Sequence, residues 1–117
     1  MGKYADGFLL PIQKKNIEKY RRMSRTAGKI WREHGALEYR ETVYEDTKLP
    51  GFLKIIKAAK NETAVFSWIV YKSRTHRDRV LKKVMSDPRL AKMMTAKDMP
   101  FDMKRMLYGG FRIFVEV

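Results

Sequence analysis

The chain has 117 residues, 44% of them apolar and 12% aromatic, enough for one hydrophobic core and far from the composition of a disordered segment. It contains no cysteine, which excludes disulfides, thiolate metal sites and a cysteine nucleophile, and points to a reducing compartment, the cytoplasm by default. A formal charge of +13, from 26 Lys and Arg against 13 Asp and Glu, bears on anionic partners and solubility rather than on fold.

One domain across residues 1–117 is expected. Residues 3 to 10 alternate, with Tyr4, Asp6, Phe8 and Leu10 on one side; Pro11, which cannot extend a central ladder, is expected to end this first strand. The apolar run Phe8 to Leu10 is too short for a signal peptide or a membrane span. From about Lys14 to His34, the residues Ile17, Tyr20, Met23, Ala27, Ile30 and Trp31 project into a stripe roughly 140° wide, predicting a long amphipathic helix closed by Gly35. Residues 37 to 45 read as a second strand. Between 52 and 60 the spacing of Phe52, Ile55, Ile56 and Ala59 is helical, while Asn61 and Glu62 suit a hairpin turn, and both readings stand.

Residues 63 to 71 are dominated by β-branched and aromatic side chains and predict the clearest strand of the chain. Ser73 is placed to cap a second helix running to about Met85, and Asp87 with Pro88 to start a short third. Met93, Met94 and Met99 read as loop and packing filler, and Asp102 as a turn or cap. A last strand is expected over 105 to 116, with a bulge or close backbone approach at Gly109 and Gly110.

This order is the split β-α-β-β-α-β arrangement of an α+β, ferredoxin-like sandwich. Two helices shelter one face of such a sheet, yet Val65, Ile69 and Tyr71 alternate with Phe66, Trp68 and Val70, so both faces are apolar. About six large side chains left in water would forgo roughly 1.5–3 kcal/mol each, a sum comparable to the about 5–15 kcal/mol that holds a domain together. A second copy packing sheet to sheet through a two-fold axis is therefore expected.

Seven segments carry a resemblance: Tyr4-Ala5-Asp6-Gly7-Phe8, Glu33-His34-Gly35-Ala36-Leu37, Val65-Phe66-Ser67-Trp68-Ile69, Met85-Ser86-Asp87-Pro88-Arg89, Met99-Pro100-Phe101-Asp102, Lys104-Arg105-Met106 and Tyr108-Gly109-Gly110-Phe111. Over essentially its full length the chain resembles the YbaA-like family of uncharacterised bacterial proteins. The resemblance implies the dimeric α/β-barrel superfamily, whose members include small monooxygenases, haem-handling enzymes and lactone isomerases; fold analogy does not transfer chemistry. It also implies a ligand cavity between subunits, which Tyr39, Trp68 and Tyr108 would line.

The candidate catalytic residues are Asp6, His34, Glu41 and Arg77. His34 projects near the middle of the first helix's apolar stripe, so an inward imidazole could act as a base or ligand; the plainer reading is a packed histidine bonded to a carbonyl. His76 reads as exposed, and two lone histidines make no metal site. Asp6 and Glu41 stand among aromatics on their strands, where a carboxylate is costly unless paired. Arg77, on the same helix face as Val80, Leu81 and Val84, is the natural partner, either as architecture or to fix an anionic substrate. Arg21, Arg25, Lys29 and Arg32 on the first helix could track a polyanion. No nucleotide fingerprint, serine elbow, phosphate-cradling glycine loop or cofactor motif is present. Three readings follow: a barrel with a small-molecule pocket, oxygenase- or isomerase-like; an RNA or polyanion module; and a structural or regulatory dimer with no pocket.

Overall fold

The computed structural model describes residues 2–45, 48, 51–94 and 99–117. Its elements, in order, are β1 (Tyr4–Gln13), α1 (Ile17–Glu33), β2 (Glu38–Val43), α2 (Phe52–Ile55), β3 (Glu62–Tyr71), α3 (Arg74–Met85), α4 (Pro88–Met94) and β4 (Leu107–Arg112). The strands make one antiparallel sheet in the order β2-β3-β1-β4, the ferredoxin-like arrangement. The fold class read from the sequence is the one found.

Register sorts the side chains. Asp6 pairs with Ile69, Phe8 with Ser67 and Leu10 with Val65, while Tyr39 and Glu41 of β2 pair with Ile69 and Ser67. Cβ atoms alternate along a strand, so Asp6, Leu10, Tyr39, Glu41, Ser67 and Tyr108 share the face that α1 and α3 cover. Two separate apolar clusters form there. One joins Ala27 and Ile30 of α1 to Ile69, Tyr71, Val80, Val84 and Leu90; the other joins Leu10, Ile12 and Val65 to Tyr20. The opposite face keeps Phe66, Leu107 and Phe111 at 50%, 61% and 59% exposure. The whole is a slab, 40 × 38 × 20 Å, with a radius of gyration of 15.0 Å, against about 13 Å for a compact chain of this length.

Several boundaries differ from the sequence reading. β1 runs through Pro11 to Gln13, because β4 pairs with β1 only as far as Leu9. Beyond Leu9 one side of β1 is an edge, where a missing N–H costs no ladder bond. β4 is shorter than expected: Met103–Arg105 is a 3₁₀ turn capped by Asp102, which accepts from Lys104 N at 2.9 Å. No bulge marks Gly109 and Gly110, which stay in register opposite Gly7 and Asp6. Close approach is instead the reason for glycine: a Cβ on Gly110 would meet the Tyr4 hydroxyl and lie 3.1 Å from Arg77 Nη1. The undecided segment is one helical turn, α2, followed by a turn with Lys57 at φ 56°.

The helix ends follow the sequence signals. Ser73 Oγ accepts from His76 N at 3.1 Å, Asp87 Oδ1 accepts from Arg89 N at 2.9 Å, and Gly35 takes φ +116° after α1. Met93 and Met94 belong to α4 rather than to a loop. Among the described residues, no helix is long and apolar enough to cross a membrane.

Candidate active site

Between the two apolar clusters, the sheet presents polar side chains that neither cluster can absorb, and the helices stand off them. The result is a cavity of about 320 Å³ within the chain. Its floor includes Asp6, Phe8, Tyr39, Glu41, Ser67 and Tyr108; its roof comes from α1, α3 and α4, with Leu81 and the methionines Met23, Met85 and Met93. Met85, Met94, Met103 and Tyr108 are the exposed members of the lining and frame its mouth. Methionine walls adapt their shape cheaply.

Asp6 is the most deeply placed ionisable group of the lining, at 1% exposure. Its Oδ1 accepts from Arg77 Nη1 at 2.6 Å, whereas Oδ2 is buried with no hydrogen-bond partner among the described residues. Burial lifts the carboxyl above the usual aspartate range; the Arg77 charge and the hydroxyls of Tyr71 and Tyr108 pull it back only in part. Arg77 is committed elsewhere than the cavity: Nε donates to Asp78 at 2.8 Å, and the guanidinium lies 4.9 Å from the Tyr4 ring centre. It holds Asp6 through Nη1 and is not part of the cavity lining, which fits the architectural reading of the pair.

Glu41 sits two strands away and two residues along, level with Phe8 rather than Asp6, about 12 Å off by strand spacing and rise. It accepts from Tyr20 Oη and Tyr39 Oη, each at 2.8 Å. Burial raises Glu41, and burial with the adjacent carboxylate pushes both tyrosines far above the ordinary phenol value. Both phenols therefore stay protonated donors. Gly28 makes the arrangement possible, since a Cβ there would come within 2.8 Å of the Tyr39 ring.

Two candidates lie outside the cavity. His34 ends α1 and points to α4, its Nε2 2.9 Å from Asp87 Oδ2, within a network where Arg89 bridges Asp87 and Glu33. Its expected inward direction is corrected: at the C-cap, with φ −87° and ψ 2°, the backbone has left helical geometry and the stripe no longer predicts direction. Trp68 stands on the opposite sheet face and donates to Glu38 Oε1 at 2.8 Å. Tyr39 and Tyr108 line this cavity, which lies within the single chain.

Arg21, Arg25, Lys29 and Arg32 come together along a second depression, a groove of about 680 Å³ between α1 and β2. Tyr20, Ser67, Tyr71 and the methionine wall went unnoticed in the sequence as site residues. Tyr20 was absorbed into the apolar stripe of α1, although a hydroxyl on such a stripe asks for a buried acceptor. Among the described residues, no group of three or more side chains suited to a metal is present.

A family model described as protein of unknown function (DUF1428) matches residues 3–103. Uncharacterized protein YbaA from Escherichia coli strain K12 is 40% identical over 117 residues, covering 97% of this chain and 98% of that protein; the protein of that name from Shigella flexneri matches to the same extent. Two solved structures share the fold. One is a dimeric ferredoxin-like protein from an uncultured marine organism, with TM-score 0.65, 10% identity and all of both chains covered. The other is a variant of SnoaB, a cofactor-independent oxygenase from Streptomyces nogalater, with TM-score 0.63, 8% identity, and 100% of this chain and 98% of that one covered.

Proposed function

The chain belongs to the DUF1428 family of proteins of unknown function, and from that premise we propose that it admits an apolar, ring-containing small molecule to the cavity and moves a proton on it with Asp6 as base. The observation that carries this is the Asp6 carboxylate: one oxygen is fixed by Arg77, and the other is buried with no hydrogen-bond partner among the described residues, at a cavity whose walls are largely apolar and whose floor also holds Tyr39, Glu41, Ser67 and Tyr108. A carboxyl held above its usual range is a better base near neutral pH than an exposed one. In the step proposed, a C–H bond next to a carbonyl breaks, its proton goes to Oδ2, and the electron pair moves to the carbonyl oxygen. Returning the proton to a different carbon completes an isomerisation. If dioxygen is the co-reactant instead, the same carbanion begins an oxygenation. Tyr108 stands at the mouth, its hydroxyl 3.4 Å from Arg77 Nη1, and is a candidate donor to the carbonyl oxygen.

The working unit is a homodimer in this reading. The exposed Phe66, Leu107 and Phe111 of the uncovered sheet face support a second copy packing there.

The test is deuterium wash-in. Ring ketones with acidic α-hydrogens are incubated with protein in heavy water and followed by proton NMR. Wild type should speed exchange for at least one compound, and Asp6→Asn should slow it by about 10²–10⁴-fold while keeping the fold. Equal exchange by the two proteins, or none by wild type, refutes the assignment of Asp6.

A further inference from the structure

The groove between α1 and β2 is a separate site from the cavity, although Tyr20, Ser24, Tyr39 and Glu41 line both. One wall is basic: Arg21, Arg25, Lys29 and Arg32 follow one another at four- and three-residue steps, which puts them on one side of the helix. The other wall is the edge strand β2, with Thr42 and Val43. The four cations are not equally engaged. Arg21 pairs with Glu18 at 3.1 Å and Arg32 donates to the Leu37 carbonyl, but Arg25 and Lys29 have no ion-pair partner among the described residues. Glu33, at one end, is paired with Arg89 at 2.6 Å, and both oxygens of Glu41 in the floor accept from the two tyrosines, so neither carboxylate is ion-paired with Arg25 or Lys29. Cations lining a concavity concentrate its potential more than cations on a convex surface do.

We infer that this groove binds a phosphate-bearing small molecule of nucleotide size. From Arg21 to Arg32 the helix rises about 16 Å, the reach of a ring with two or more phosphates. The volume of about 680 Å³ falls in the ordinary small-molecule range of about 300–1,000 Å³. Arginine forks suit phosphate oxygens, and beside the basic wall the groove is lined by Ile17, Val43 and Val65, apolar surface against which the rest of such a ligand can lie. This assignment stands whether or not Asp6 acts as a base.

The experiment is calorimetric titration with ADP at low and at high salt. NMR maps the perturbed amides, and a short single-stranded oligonucleotide serves as competitor. ADP should bind at low salt, weaken at high salt, and perturb Gly28 and Tyr39. Arg25→Ala with Lys29→Ala should weaken it by about tenfold or more, whereas Lys82→Ala with Lys83→Ala, which removes equal charge from α3, should leave it within twofold. Asp6→Asn should bind ADP as wild type does, which separates this site from the cavity reading. No binding at low salt, binding unaffected by the α1 pair, or an oligonucleotide that binds where ADP does not would each overturn the inference; the last would make the groove a nucleic-acid surface.

Discussion

Replacing Arg77 by Met probes the cavity's electrostatics directly, because it keeps an unbranched aliphatic stem and deletes the guanidinium that pairs with Asp6 and lies over Tyr4. The side chains of Asp6 and Arg77 are 1% and 12% exposed, so water cannot replace the lost bond. Removing one partner of a buried pair costs about 3–5 kcal/mol; the lower end suits Arg77, which is also held by Asp78 at the surface. For 117 residues the entropy of unfolding is about 0.25 kcal/mol/K, so a loss of about 3 kcal/mol lowers Tm by about 12 °C. The deficit should depend on pH in a stated direction. Asp6 already titrates above its ordinary 3.8 in the folded chain, and without Arg77 it rises further. Between 3.8 and that raised value the folded state holds a proton the unfolded state releases, so stability falls as pH rises through the window. Lowering pH towards 3.8 should therefore shrink the gap between Arg77→Met and wild type. Adding Asp6→Asn should recover most of it, since the orphaned charge is then gone. Calorimetric melting across pH measures both; a deficit under about 4 °C at neutral pH, or one that does not shrink in acid, refutes the buried-pair account.

Two further outcomes are expected. Gly28→Ala gains about 1 kcal/mol of helix propensity but sets a methyl 2.8 Å from the Tyr39 ring, and overpacking of about 1–3 kcal/mol wins; a raised Tm would show that Tyr39 yields freely. Phe66→Asp puts a charge on the uncovered face and should turn the proposed dimer into monomer in sedimentation at micromolar concentration. A dimer that persists would place the contact on another surface.

The residues that were legible from sequence are those whose direction depends on local period alone. Asp6, Glu41, Tyr39 and Tyr108 follow strand parity, and Arg77 follows helical projection from Val80 and Val84, so their convergence on one face could be read before the fold was known. His34 failed because it stands where the helix has already ended. Trp68 shares the parity of Phe66 and Val70, which was evident; its assignment to a cavity came from family resemblance, and the cavity within the chain lies on the other face of the sheet. The Tyr20–Glu41 bond spans two elements, and the chamber exists because two clusters pack apart from each other, a tertiary fact with no local signature. Pro11 misled because the end of β4 pairing at Leu9 determines whether a proline is tolerated there.

Placing Asp6 on β1 has a mechanical consequence. β1 is paired on both sides over Tyr4–Leu9, so its amides should be among the slowest to exchange with solvent. The methionine-rich mouth instead depends on α4, a seven-residue helix with one buried side chain, Leu90. The carboxylate proposed as proton acceptor is thus anchored on the strand that is paired on both sides, while α4 beside the doorway is held through a single buried side chain.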